Sequence, residues 1–332
     1  SAIDELKPML IGQDPARIQY LWQMMYRQRF WRGGVVTMTA IAGIEQALWD
    51  LKGKHMQCPV HQLLGGAVRD RVRAYTHIMP NSADAIEEAV KPLLTQGFTA
   101  FKTLAFPSIP LKASRQQLEH AEHFMNTLRN AVGPDTDIMV DCHGRLGPFA
   151  TRELAQLLRK YDLFFWEEPV LPENHQAMKA AVVNIDIPIA TGERLFSKWE
   201  YREVFESNVV NVVQPDICHN GGILETFKIA AMAETYFVQV APHNPNGPIA
   251  TAASLHLCAT IPNFHILEFV TADREARDAV CLTHHVPSEG YFKIPEEPGL
   301  GIEVDEKALL LRPPVAGSYP AEFLPDGTPI DA

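Results

Sequence analysis

Residues 138–169 read IMVDCHGRLGPFATRELAQLLRKYDLFFWEEP, and the fold class turns on them. Ile138–Asp141 is a short apolar run closed by a carboxylate. A polar, glycine-bearing loop follows, then a helical pattern over Thr151–Arg159, then a second apolar run, Phe164–Glu167, again closed by a carboxylate. Continuous apolar runs of this length suit strands covered on both faces. A helical stretch between two such strands makes them parallel.

The same rhythm extends in both directions. Upstream lie Val72–Ile78 and Ala100–Leu104; downstream lie Ile187–Glu193, Val209–Asp216, Phe237–His243 and Phe264–Phe269. Helical patterns over Asp84–Gln96, Ser114–Ala131 and Ile223–Tyr236 separate them. Eight such units predict a closed TIM-type (β/α)7β barrel more readily than an open sheet. No GxGxxG or GxxxxGK[ST] follows any run, which weighs against a doubly wound nucleotide-binding fold. The barrel is expected over residues 71–272. Residues 1–70 read as mostly helical, with amphipathic stretches at Gln19–Arg29 and Met38–Lys54. Residues 273–332, rich in Pro and Gly with one strand-like run near Leu300–Val304, read as a tail that returns to those helices.

Composition narrows the function. With 46% hydrophobic and 21% charged residues in 332, the chain can bury a large core. A formal net charge of −11 argues against general affinity for nucleic acid or anionic membranes, though not against an anionic substrate beside a divalent cation. Five scattered cysteines without a CxxC pair, no leader and no apolar run near the roughly 18 residues of a membrane span predict a reduced, cytoplasmic protein. The barrel class points to a symmetric homo-oligomer.

The ends of the runs carry the chemistry, because strand ends of a barrel converge on one mouth. Asp141, Glu167 and Glu193 close three consecutive strands at spacings of 26 and 26 (167 − 141; 193 − 167). Three carboxylates at one mouth repel unless a cation neutralises them, and an all-oxygen set without thiolates favours Mg²⁺ over Zn²⁺. Asp216 and His243 close neighbouring strands, so the carboxylate can accept the imidazole N–H and make His243 a general base. His143 stands four strands away, across the mouth, where it can donate a proton to a departing group. Glu268 sits on the eighth strand, and Lys102 ends the second, where it either holds a substrate oxygen or snorkels at the surface. The Cys281-x-x-His284-His285 cluster lacks a fourth zinc ligand, and His120 and His123 read as surface residues of a helix.

With these residues in place, the sequence resembles the enolase superfamily, in its mandelate racemase-like branch and the D-galactonate dehydratase-like group. The likeness rests on Arg32-Gly33-Gly34 with TAIAGIEQALWDLKGK, on VDCHGR (140–145), EEPV (167–170), GERLFS (192–197), QPDICHNGG (214–222), APHNPNGPIA (241–250) and PGLGIEVDE (298–306). It spans roughly residues 30 to 312.

The resemblance implies one Mg²⁺ per subunit on Asp141, Glu167 and Glu193. It implies that His243, tuned by Asp216, abstracts the proton next to the carboxylate of a small sugar acid. His143 would protonate the leaving 3-hydroxyl and Glu268 would stabilise the intermediate, giving a 2-keto-3-deoxy acid. Residues 1–70 would then be the remainder of a capping domain whose N-terminal strands and mobile loop are expected to be missing. Racemases of the branch carry a second Lys in a KxK motif, where this chain reads Lys102-Thr103-Leu104; mannonate dehydratases read DVHHR where this chain reads DCHGR. A racemase, epimerase or cycloisomerase on the same barrel and a non-catalytic scaffold are the alternatives.

Overall fold

The computed structural model describes residues 1–80, 82–312, 323 and 327–330. Eight strands form the parallel sheet: β1 (Arg71–His77), β2 (Ala100–Thr103), β3 (Asp137–Asp141), β4 (Leu163–Glu167), β5 (Ile189–Thr191), β6 (Val212–Val213), β7 (Gln239–Val240) and β8 (Leu267–Glu268). Their order is β7-β6-β5-β4-β3-β2-β1-β8. The ring closes between the ends of that order. Val240 pairs with Phe264 in parallel, its N–H donating to the Asn263 carbonyl at 2.8 Å and its carbonyl accepting from the His265 N–H at 2.8 Å. Seven helical connections link the eight strands, and among the described residues only two five-residue helices, Arg274–Asp278 and Glu306–Leu310, follow the last. The architecture is the TIM-type barrel of an α/β chain.

The barrel interior is graded by height. One residue from each strand region builds an apolar plug: Tyr75, Ala100, Met139, Phe165, Ala190, Val212, Ala241 and Ile266. Bulky members alternate with alanines or valine around most of the ring, and all eight side chains are buried. Side chains of a strand alternate between its faces. Two positions further along each strand the inward residues are therefore His77, Lys102, Asp141, Glu167, Gly192, Gln214, His243 and Glu268. One step turns an oily interior into a polar ring that faces the mouth.

Three N-terminal helices, α1 (Ala2–Leu10), α2 (Ile18–Arg27) and α3 (Val35–Met56), pack beside the loop that leaves β6. The Trp22 indole N–H donates to the Gly221 carbonyl (2.8 Å), Gln46 Nε2 to the Ile217 carbonyl (3.2 Å), and Thr39 Oγ1 lies 2.8 Å from His219 Nδ1. Glu45, fully buried on α3, accepts the N–H groups of Ile223 (2.8 Å) and Leu224 (2.9 Å). Those are orphan donors at the start of the helix Ile223–Glu234, whose N-cap, Gly222, brings no side chain of its own. Glycine is required there: φ is +103° and a Cβ would meet Glu45 Oε2 at 2.2 Å.

The tail departs from the sequence expectation in where its strand lies. Its strand is β9 (Tyr291–Lys293), antiparallel to β1, whereas the Leu300–Val304 run forms only an isolated bridge from Val304 to Cys281. The Pro and Gly residues around 295–301 break any ladder, while Tyr291-Phe292-Lys293 alternates as an edge strand should. The tail also reaches the end of α3, with the Leu300 N–H on Asp50 Oδ1 (2.9 Å) and the Gly299 carbonyl on the Val60 N–H (3.0 Å).

Between the helix Pro248–Thr260 and this tail lies a group of histidines. His256 Nδ1 accepts the His61 N–H (3.2 Å), the two rings stack at 5.7 Å, and His61 and His285 each direct Nε2 at a tail carbonyl, Pro295 and Leu300. Burial lowers the pKa of all three, that of His256 to about 3. His284 instead pairs with Asp278 at 3.3 Å. Among the described residues, Cys281, His284 and His285 do not come together as a metal site.

Candidate active site

Asp141, Glu167 and Glu193 each offer an oxygen within 4.8 Å of the others, and among the described residues no other group of His, Cys, Asp and Glu does so. Asp141 and Glu167 sit side by side at the paired ends of β3 and β4. Glu193 lies just beyond β5, after Gly192, whose φ of +139° turns the chain at the mouth. Glu167 Oε2 and Glu193 Oε2 are buried with no hydrogen-bond partner among the described residues. Buried carboxylate oxygens left unpaired are costly unless a cation takes them. The donor set, all oxygen and acceptor-only, fits a hard divalent cation.

Lys102 corrects one expectation. It is not a surface residue: the side chain is 1% exposed, with Nζ 2.8 Å from Glu268 Oε1, 2.9 Å from Glu167 Oε1 and 3.2 Å from Asp141 Oδ2. Burial works against its charge, but Glu167, Glu268 and the neighbouring acids outweigh that and hold it firmly as an ammonium. The carboxylates respond unequally. Glu167 is pushed well up by burial and by Asp141, whereas Asp141 and Glu268, although buried, are held well down, first by Lys102.

His243 meets Asp216 as the spacing predicts, Nδ1 to Oδ2 at 2.8 Å. That bond leaves Nε2 turned inward, 3.4 Å from Glu193 and 3.8 Å from Glu268. Burial disfavours the imidazolium, but Glu193, Glu268 and Asp216 together raise the His243 pKa to about 10. A cation on Glu193 opposes that rise and favours the neutral base. Asp216 is itself fixed by the Cys218 N–H (2.7 Å) and by Asn246 Nδ2 (3.0 Å).

His143 lies beside Asp141, which receives both its backbone N–H (3.0 Å) and its ring Nε2 (3.1 Å). The backbone there is left-handed, φ +48°, a conformation that sets the ring back over the strand end. The Asp141 hydrogen bond raises the His143 pKa against the effect of burial. A raised pKa is the direction a proton donor needs.

Glu268 is pinned from three sides. Besides Lys102, His77 Nε2 lies 2.5 Å from Oε1, and the Asn244 N–H donates to Oε2 at 2.7 Å. His77 escaped the sequence reading because β1 was taken to end in the apolar Ile78. Counting two residues on from Tyr75 would have found it, and the same count finds Gln214. Glu168 turns away from the triad onto Arg194, which grips Oε2 through two nitrogens at 2.6 and 2.8 Å.

Residues 84–308 match the family model for enolase C-terminal domain-like proteins, and residues 1–65 the model for the mandelate racemase / muconate lactonizing enzyme N-terminal domain. The D-galactonate dehydratase of Pectobacterium atrosepticum is 38% identical over 335 residues, covering 98% of this chain and 88% of that protein. The crystal structure of an enolase from Agrobacterium radiobacter, provisionally assigned as a galactarate dehydratase and bound to Na and L-malate, superposes with a TM-score of 0.91. It is 35% identical and covers 100% of this chain and 88% of that one. A member of the enolase superfamily from Salmonella Typhimurium gives 0.89 at 31% identity, over 93% and 85%. Among the described residues no helix is long and apolar enough to cross a membrane.

Proposed function

The chain belongs to the enolase superfamily, in the mandelate racemase-like branch and its D-galactonate dehydratase-like group of hydro-lyases, and from that premise we propose that it removes water from an aldonate related to galactonate or gluconate. The observation that carries this reading is the His243–Asp216 dyad, which directs Nε2 to within 3.4 Å of a carboxylate of the acidic triad. A base so placed faces the carbon next to whatever group that triad binds.

Asp141, Glu167 and Glu193 would hold Mg²⁺, which when bound supplies positive charge against the second negative charge that develops as a carboxylate loses its α-proton. His243 Nε2 takes the C2 proton, while Asp216 keeps Nδ1–H in place and stabilises the imidazolium. The electron pair of the C2–H bond forms the C2–C3 double bond, and the C3–O bond breaks. His143 gives its proton to the departing hydroxyl, which leaves as water. The resulting enol becomes the 2-keto-3-deoxy acid by moving a proton to C3. Glu268, held by His77, Lys102 and Asn244, stays ionised and fixed beside the reacting end.

A racemase needs a second base on the opposite face of the substrate. On β2 the available base, Lys102, is committed to three carboxylates, and two residues on stands Leu104. The test is a screen of aldonic and aldaric acids with Mg²⁺, read as 2-keto-3-deoxy product. One acid should turn over, and His243→Asn and His143→Ala should each abolish product. Incorporation of deuterium from heavy water at C2 without loss of water would instead identify a racemase or epimerase.

A further inference from the structure

Gln214 stands in the polar ring with no chemistry assigned to it above. Val212, two residues before it, belongs to the apolar plug, so strand alternation turns Gln214 into the barrel on the mouth side. The ladder persists at this point, with the Gln214 N–H donating to the Thr191 carbonyl at 2.9 Å. The side chain is 0% exposed, yet neither Oε1 nor Nε2 has a hydrogen-bond partner among the described residues. A buried carboxamide with both its oxygen and its nitrogen unanswered destabilises a fold. Such groups persist where a ligand answers them.

Its neighbours say which ligand. Around the ring Gln214 is flanked by Gly192, which contributes no side chain, and by His243, the proposed base. The oxygens of Glu167 and Glu193 that lack hydrogen-bond partners belong to carboxyl groups and suit a cation, whereas a neutral carboxamide, both donor and acceptor, suits an alcohol oxygen carrying its own proton.

We infer that Gln214 is a substrate-binding residue whose carboxamide holds a hydroxyl of the sugar acid beside His243. This rests on the sugar-acid reading of the site. Gln214→Leu replaces the amide with an apolar side chain of similar volume. The expected results are a Tm about 2 °C or more above wild type, and KM for the acid selected by the screen raised about five- to tenfold with kcat within threefold. Mn²⁺ affinity by calorimetry should stay within twofold.

A stability gain paired with weaker substrate binding marks a group kept for function, and a structural role cannot produce it. A fall in Tm, or an unchanged KM, overturns the proposal. Gln214→Met serves as a second variant, and failure of both to fold also overturns it. Should the wild type turn over no acid, the sugar-acid reading has failed on its own terms. The Tm comparison then still decides whether the buried amide is unpaired, a fall again overturning the inference.

Discussion

Two groups of histidines lie within this protein, and their environments drive them in opposite directions. At the mouth, His143 and His243 are both raised in pKa, His243 to about 10. Between the helix Pro248–Thr260 and the tail, His61, His256 and His285 are all lowered, His256 to about 3. Burial opposes the charge in both places. What differs is the company: Asp141, Asp216, Glu193 and Glu268 surround the first group, while the second meets backbone carbonyls and other imidazoles. A buried histidine is thus poised for proton transfer by its carboxylate neighbours, and residue type alone carries little information.

The sharpest way to break this contrast is to remove one member of each group. His243→Asn should lower kcat by about 10³-fold or more, with the denaturation midpoint little changed. His256→Asn should leave kcat per folded molecule intact and lose about 1–3 kcal/mol of stability. Loss of turnover in a fully folded His256→Asn protein would erase the distinction. Next in size is the cation that balances the mouth. Lys102→Met leaves Asp141, Glu167 and Glu268 without their ammonium, and chelator-treated protein should lose about 3–5 kcal/mol in a denaturant titration. Millimolar Mg²⁺ should restore part of that loss in the variant.

The third test uses pH. Because the His256 pKa is lowered from 6.5 to about 3, the unfolded chain binds a proton that the folded one refuses. Stability from this residue is present above pH 6.5 and is lost as pH falls toward 3, at about 1.4 kcal/mol per pH unit at most. His256→Gln should flatten the acid limb of a stability–pH curve over that interval. An unchanged limb would mean that His256 is not held neutral by its surroundings.

Much of this was written in the sequence because several strands are apolar runs closed by a polar residue that faces the mouth. Asp141, Glu167, Asp216 and His243 could be read in that way, and the structure brings them to one mouth. The runs overstate length where strands are short: Val209–Asp216 contains a strand of two residues, since the ring needs only one or two ladder bonds there. Gln214 was illegible for a different reason, which also left two placements open for Lys102, facing a substrate or lying at the surface. A lone polar residue after an apolar run looks alike whether it ends in water or in the barrel, and only the alternation relative to the plug separates the two. The β9 strand was hidden among the Pro and Gly residues of the tail, where the antiparallel partner, β1, lies over 200 residues upstream.

The bonds from α2 and α3 to residues 217–224 have a mechanical consequence. Trp22, Thr39, Glu45 and Gln46 tie four points of the segment that directly follows Asp216. Each of these bonds would have to break for the helices to shift against the segment, so the seam resists displacement. The same ties make the two pieces one unit of exchange. A chimera that exchanges the N-terminal helices with those of a relative must carry the 217–224 segment with them, or the dyad loses the scaffold that aims it.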